Sequence, residues 1–434
     1  MDREGLQVVP EAAGPPVRKP RAAAFRALRA QPFRWYFAGQ IASASGTFVQ
    51  ATAIGWMVLQ LTGSPSALGL VLATGGIPPL LLGPWGGVLV DRFDLRRLLI
   101  GTQAISAALA LALWIPAVLG TVSVPLVVAV MLLGGVVQIV DAPARQAIVG
   151  RLVPPGDLSS AVSLNGVVMN GARVVGPAIA GVLIATVGTT PCFAINAVSY
   201  VAVIAVLFLV RPIDDIAGGH SPGGLAEALR YARSRQQLWL PLAMMGLVGL
   251  LSFNFPVVLP VLAERTFHAG GGGYGLLSTV LSVGSVVGSL GVGLIRHPRR
   301  IYLVAAATAF GFCLAATAVA PNATTACLAL VATGVSGFCF VTLASTAIQL
   351  HADPRYRGRI MALWVFVFLG TTPIGSILTG WICDTTGPRA ALLVAAAAAL
   401  IAAAAAAAVH TPPHPDDHSD ARTPGPEIPE PTRK

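Results

Sequence analysis

The chain has 434 residues, 55% of them hydrophobic and 11% charged, with a mean hydropathy of +0.75. A soluble globular protein carries about 25% charged residues, so this composition excludes a soluble enzyme and places most of the chain in lipid. The net charge of +10 is carried by alternate loops, which excludes the one-sided basic patch of a nucleic-acid-binding domain.

Residues 1–24 are rich in Pro, Ala and charge and read as a disordered tail. Arg26, Arg29 and Arg34 beside Phe25, Leu28 and Phe33 then make an amphipathic lead-in that lies on an anionic leaflet, so 1–34 forms one unit. No apolar run follows the start closely enough for a cleaved signal peptide. About 20 apolar residues cross a bilayer. Spans are expected at 35–60, 66–90, 97–119, 123–148, 159–187 and 190–210, which make an N-terminal bundle, 35–210. A linker, 211–237, follows. Within it Leu225, Ala228, Leu229 and Ala232 share one face of a short interfacial helix, with Glu227, Arg230 and Arg233 turned away. Spans at 238–263, 273–295, 300–320, 324–350, 360–383 and 388–409 make a C-terminal bundle, 238–409, and 410–434 is a second disordered tail. The expected fold class is therefore all-α integral membrane, with twelve transmembrane helices in two six-helix pseudo-repeat halves.

Arginine placement orients these spans. Arg92, Arg96 and Arg97 fall in the second loop, Arg151 in the fourth, Arg296, Arg299 and Arg300 in the eighth, and Arg355, Arg357 and Arg359 in the tenth. The odd-numbered loops hold only Arg265 and Arg389. The positive-inside rule puts both termini in the cytoplasm. The halves also repeat at an offset of about 200 residues: Leu68-Gly69-Leu70 matches Tyr274-Gly275-Leu276, and Gly181 matches Gly380.

Between spans two and three lies Gly86-Gly87-Val88-Leu89-Val90-Asp91-Arg92-Phe93-Asp94-Leu95-Arg96-Arg97. Paired glycines let the end of span two approach a neighbour closely, and Asp91 suits a helix N-terminus. The stretch resembles the signature loop of the major facilitator superfamily. That resemblance implies a cytoplasmic gate of Gly87, Asp91, Arg92, Arg96 and Arg97 that docks on the start of span eleven, at Arg357, Gly358 and Arg359. The second-half counterpart keeps the arginines but has His297 where the first half has Asp91, so the latch is expected to be asymmetric.

Span five carries Gly171-Ala172-Arg173-Val174-Val175-Gly176-Pro177-Ala178-Ile179-Ala180-Gly181. Pro177 kinks the helix, and Gly176, Ala180 and Gly181 make a small face for helix packing. With Gly171, this run resembles the antiporter motif of superfamily exporters. An arginine as deep as Arg173 costs at least ~2.5–3.5 kcal/mol on insertion scales, so it should face the cavity or a buried acid. Asp141 in span four is the available acid, and Arg145 lies one turn on. A charge network of Asp141, Arg145 and Arg173 is expected, serving transport or structure.

Candidate cavity residues are Gln40, Gln50 and Trp56 in span one, Gln138 in span four, Asn165 and Asn170 in span five, Asn254 in span seven and Thr371 in span eleven. The seven histidines lie in loops or the tail, and the five cysteines stand singly without metal spacing. No phosphate-binding loop or catalytic set is present, so the chain reads as a non-enzyme with no cofactor or metal. Gly46-Thr47-Phe48-Val49-Gln50, Leu61-Thr62-Gly63-Ser64 and Asp141-Ala142-Pro143-Ala144-Arg145-Gln146-Ala147 are similar to the branch of enterobactin exporters and macrolide efflux proteins. The resemblance implies a monomeric secondary exporter in a bacterial inner membrane, with a lipophilic or amphipathic small molecule of antibiotic or siderophore type as substrate and the proton as coupling ion. A nutrient importer, a non-transporting receptor or assembly partner, and a membrane-embedded enzyme are the rival readings.

Overall fold

The computed structural model describes residues 25–210, 225–293, 295, 299–353 and 356–409. Both expected tails, the linker residues 211–224, and His297 lie outside these, as does the side chain of Asp91.

The described residues are almost wholly helical. A 3-10 turn, Arg26–Arg29, leads into α1 (Gln31–Thr62), α2 (Pro65–Arg92), α3 (Leu95–Leu119), α4 (Val124–Arg151), α5 (Leu158–Thr186) and α6 (Thr190–Leu209). After the short α7 (Leu225–Ser234) come α8 (Gln236–Ser252), α9 (Phe255–Val261), α10 (Gly270–Val292), α11 (Arg300–Val319), α12 (Ala323–His351), α13 (Arg357–Thr385) and α14 (Pro388–Ala408). Among the described residues eleven segments are long and apolar enough to cross a membrane, with α8 and α9 counted together as Gln236–Thr266. The segment α1 is not among the eleven, although it has 32 residues. It packs on α5 and α6, and its polar side chains find partners inside the protein, so it has less need of an apolar surface.

Each half repeats one packing plan. In the first, α2 lies on α4, α1 on α5 and α6, and α3 on α4 and α6. In the second, α10 lies on α12, α8 on α13 and α14, and α11 on α12 and α14. The halves meet where α2 crosses α13 and where α5 crosses α10.

The two ends of the bundle differ. One carries the arginine-rich connections. At the other, Gly63, Gly120, Gly188, Gly270 and Gly387 each take a positive φ, between 59° and 94°. Such φ values strain any residue with a Cβ, and they let the chain reverse within a few residues. We call these the arginine end and the glycine end.

Two local features depart from expectation. The seventh span is broken at Phe253 and Asn254. Pro256 has no N–H to give the Ser252 carbonyl and clashes with it, which stops α8. Asn254 Nδ2 then donates to the Leu250 carbonyl at 2.7 Å, and the chain resumes as α9 and a π turn, Leu262–Thr266. The helix α7 forms as expected, with Ala232 fully buried, but Glu227 is not turned away. It accepts from Arg359 Nη1 at 2.9 Å and from the Tyr356 hydroxyl at 3.3 Å.

Candidate functional site

Four glycines make the crossing points between the halves. A Cβ on Gly181 of α5 would lie 2.7 Å from the Gly275 Cα of α10. A Cβ on Gly69 of α2 would lie 3.2 Å from the Gly380 Cα of α13. These are the residues that the internal repeat pairs with one another, so the two contacts are related by the same pseudo-symmetry. Both lie toward the glycine end. Further along α2 toward the arginine end, Gly76 sits against Pro373 and Leu80 against Gly370.

Polar contacts close the glycine end as well. Arg265 Nη2 donates to the Gly63 carbonyl at 2.5 Å, and the Ser64 hydroxyl donates to Asp384 Oδ2 at 2.8 Å. Arg265 and Asp384 are 3.6 Å apart. Trp56 stacks on Tyr274 with centroids 6.3 Å apart, and lines a shallow cleft of about 580 Å³ with Gln60, Ile184 and Gly271. Exposed ion pairs are worth ~0–1 kcal/mol. Asp384→Asn is therefore expected to lower stability by less than about 1 kcal/mol, a loss that high salt erases, as read from thermal unfolding of the purified protein.

At the arginine end the expected gate residues have other partners. Arg96 Nε and Nη2 donate to the carbonyls of Leu207 and Phe208 at 2.6 and 2.7 Å, so Arg96 caps the end of α6 in its own half. Asp94 caps α3, accepting from the Arg97 backbone N–H at 2.7 Å. Arg92, Arg97, Arg357 and Gly358 are exposed, and Arg359 is held by Glu227. Tyr231 of α7 stacks on Tyr356 at 4.4 Å, which clamps the start of α13 to the linker helix. Gly86, rather than Gly87, makes the close approach: it lies on the Ile139 carbonyl of α4, while a Cβ on Gly87 would meet nothing within 4 Å.

The charge network forms without Arg173. Asp141 is buried, and its Oδ2 takes the Arg145 Nε at 2.5 Å. Its Oδ1 accepts from the Thr102 hydroxyl and from Gln103 Nε2, each at 2.7 Å. Arg145 Nη1 donates to Gln40 Oε1 at 2.6 Å, and Nη2 to Gln103 Oε1 at 2.9 Å and Ser43 Oγ at 3.4 Å. All three nitrogens of the guanidinium and both oxygens of the carboxylate are engaged. Tyr36 lies on the same face of α1 as Gln40 and Ser43, and its buried hydroxyl has no hydrogen-bond partner among the described residues.

Arg173 lies midway along α5 and has no carboxylate partner among the described residues. Its guanidinium carbon stands 5.9 Å from the ring centre of Phe48 on α1 and 5.0 Å from that of Phe338 on α12. The correction to the expected network has a physical reason: Arg145 is one turn from Asp141 on the same helix, and it fills the acid's remaining acceptor. Each ring face contributes ~0.5–2 kcal/mol against the ~2.5–3.5 kcal/mol insertion cost. The rings offset much of that cost but neutralise no charge.

The antiporter-type run divides its contacts. Gly176 packs on Phe48 of α1 in the same half, Pro177 and Gly181 meet Gly275 across the halves, and Gly171 faces open space. The expected cavity residues divide too. Gln40 belongs to the Asp141 cluster, and Gln50 Oε1 accepts from Asn196 Nδ2 at 2.9 Å. Asn254 closes the break in span seven. Thr371 bonds its own helix and packs on Gly249. Gln138 is exposed, and Asn165 and Asn170 are half-exposed. None of these three holds a hydrogen bond among the described residues. Sequence reasoning passed over Tyr36, Thr102 and Gln103. The i, i+4, i+7 spacing of Tyr36, Gln40 and Ser43 was the available signal for the first.

A family model described as transmembrane secretion effector matches residues 22–433. The chain is 24% identical over 362 residues to the staphyloferrin A transporter of Staphylococcus aureus, covering 82% of this chain and 90% of the relative. It is 24% identical over 366 residues to macrolide efflux protein A of Streptococcus pyogenes, again covering 82% and 90%. Among solved structures, the nucleoside transporter NupG superposes with a TM-score of 0.73 at 12% identity, covering 87% of this chain and 98% of the other. That likeness speaks for the fold.

Proposed function

The chain belongs to the transmembrane secretion effector family of the major facilitator superfamily, and from that membership we propose that it exports a lipophilic or amphipathic small molecule by alternating access, with the proton as coupling ion. It is a membrane transporter and not an enzyme. In this reading twelve spans lie in a bacterial inner membrane as a monomer, with both termini and the arginine end in the cytoplasm.

The observation that carries the reading is the one-sided seam between the halves. The glycine crossings and the Arg265–Asp384–Ser64 clasp close one end. At the other end Arg96 is engaged within its own half and Arg359 with the linker helix α7, not across the two halves. Gln138 and Asn170 stand near mid-span and Asn165 about two turns in from the arginine end, all without hydrogen-bond partners among the described residues. An amide facing hydrocarbon without a hydrogen bond costs several kcal/mol, so these side chains fit the wall of a wet vestibule. The conformer then corresponds to the inward-open state of a rocker whose halves turn about a midplane site. The Asp91 latch would form in the opposite state.

Export as the direction rests on the small-residue run around Gly176 and Pro177 and on the efflux relatives. In a strain stripped of its own efflux pumps, cells expressing the chain should accumulate less of a lipophilic antibiotic panel than control cells, and a protonophore should abolish the difference. Greater accumulation in expressing cells would replace the exporter with an importer. Unchanged accumulation of every compound would favour a receptor.

A further inference from the structure

We propose that Arg173 is the recognition point for an anionic group of the exported compound, so that the substrate class is an amphipathic carboxylate whose apolar body lies on Phe48 and Phe338. The inference rests on the export reading and narrows it.

Three observations converge. Among the described residues, Asp141 is the one carboxylate more than two helical turns from an end of its span, and Arg145 already neutralises it. Arg145, Asp141 and Arg173 together leave one positive charge in the interior, and it resides on Arg173. Phe48, Arg173 and Phe338 each sit midway along their helices, so the cation lies at mid-depth. It is also shared between the halves: Phe48 belongs to the first and Phe338 to the second. Gly181 is eight residues beyond Arg173 toward the glycine end, about 12 Å along the helix, which puts Arg173 on the vestibule side of the seal.

The chemistry follows from the donors. A guanidinium presents five N–H groups in a fixed fork that matches a carboxylate edge-on. The Phe48 and Phe338 rings stand 5.9 and 5.0 Å from its central carbon, and no hydrogen bond among the described residues engages its N–H groups. Phe338 continues into an aromatic cluster, meeting Phe253 at 5.9 Å, and Phe253 in turn meets Phe310 at 5.2 Å and Phe368 at 5.9 Å. A ligand with a carboxylate and a flat apolar body would thus touch both halves at once. The half-exposed amides of Asn165 and Asn170 on the same helix can serve its remaining polar atoms.

The test uses the full-length protein in lipid nanodiscs and three fluorescent probes of one shape: pyrenebutyrate, pyrenebutanol and pyrenebutylamine. Binding is read by anisotropy after subtraction of empty nanodiscs. The acid should bind about tenfold more tightly than the alcohol, the amine more weakly than either, and added salt should narrow the gap. Arg173→Gln should bring the acid and the alcohol together, and Arg173→Lys should keep part of the preference. Equal binding of the acid and the alcohol to the wild type, tighter binding of the amine, or binding of none overturns the proposal, and no variant is needed for that comparison. A preference that survives in correctly folded Arg173→Gln overturns it as well. Any of these outcomes leaves the cellular efflux result untouched, so the charge class and the export reading fail separately.

Discussion

Asp141→Leu should destabilise the protein by about 3–5 kcal/mol, whereas Asp141→Leu combined with Arg145→Met should recover most of that loss. The single change removes the carboxylate and leaves a buried guanidinium without its counter-ion, with Gln40, Gln103 and Ser43 its remaining acceptors. The double change removes both charges. Recovery should stop short of complete, because Thr102 and Gln103 lose the acceptor they share. Thermal unfolding in detergent reads both variants on one scale. Equal destabilisation of the single and double variants would mean that packing, not the charge pair, holds this corner of the first half. The double variant also separates structure from coupling. If protons pass through Asp141, it should fold and bind substrate yet lose transport driven by a pH difference. If it transports like the wild type, the pair is a structural bolt and the proton route lies elsewhere.

Gly275→Leu should remove most of the conformer in which the glycine end is closed. A Cβ there already falls against the Gly181 Cα and 2.9 Å from the Pro177 carbonyl, and backbone cannot step aside as a side chain can. Overpacking costs ~1–3 kcal/mol, which is a roughly 5- to 150-fold loss of the closed glycine end. Transport should fall in proportion. The distance between nitroxides at Val187 and Leu276, both exposed on either side of the crossing, should lengthen. The pseudo-symmetric change Gly69→Leu should act in the same way. Gly87→Ala provides the contrast: nothing lies within 4 Å, so it should leave the distance unchanged and stabilise α2 by up to about 1 kcal/mol. A shortened or unchanged distance in Gly275→Leu would show that the seam tolerates bulk and is not the closure.

Much of the architecture was legible because lipid imposes strict rules. Arginine in alternate loops, runs of about 20 apolar residues and the 200-residue echo of Gly69 and Gly275 each follow from the membrane or from duplication, and each leaves a linear trace. The Asp141–Arg145 pair was legible too, since i, i+4 neighbours meet on any helix. What stayed hidden was the choice of partner through space. Gln103 lies 38 residues from Asp141, and its spacing carries no sign of the contact. Arg96 was expected at a gate and instead caps α6, 111 residues away, because free carbonyls at a helix end attract a guanidinium as well as a carboxylate does. Arg173 shows the same limit from the other side. Its depth announced a cost, but nothing in the linear order told rings from an acid.

The glycine seam has one more consequence, for leakiness. A carrier in an energised membrane dissipates its own driving force if a file of water molecules ever spans it, since protons hop along such a file. Seals made of long side chains open whenever a rotamer changes or a carboxylate takes up a proton. Here Gly181 meets Gly275, and Gly69 meets Gly380, backbone against backbone. These crossings have no rotamers to change and no group to titrate, so at this end only the Arg265–Asp384–Ser64 clasp responds to pH, and the crossings hold until the two halves themselves part.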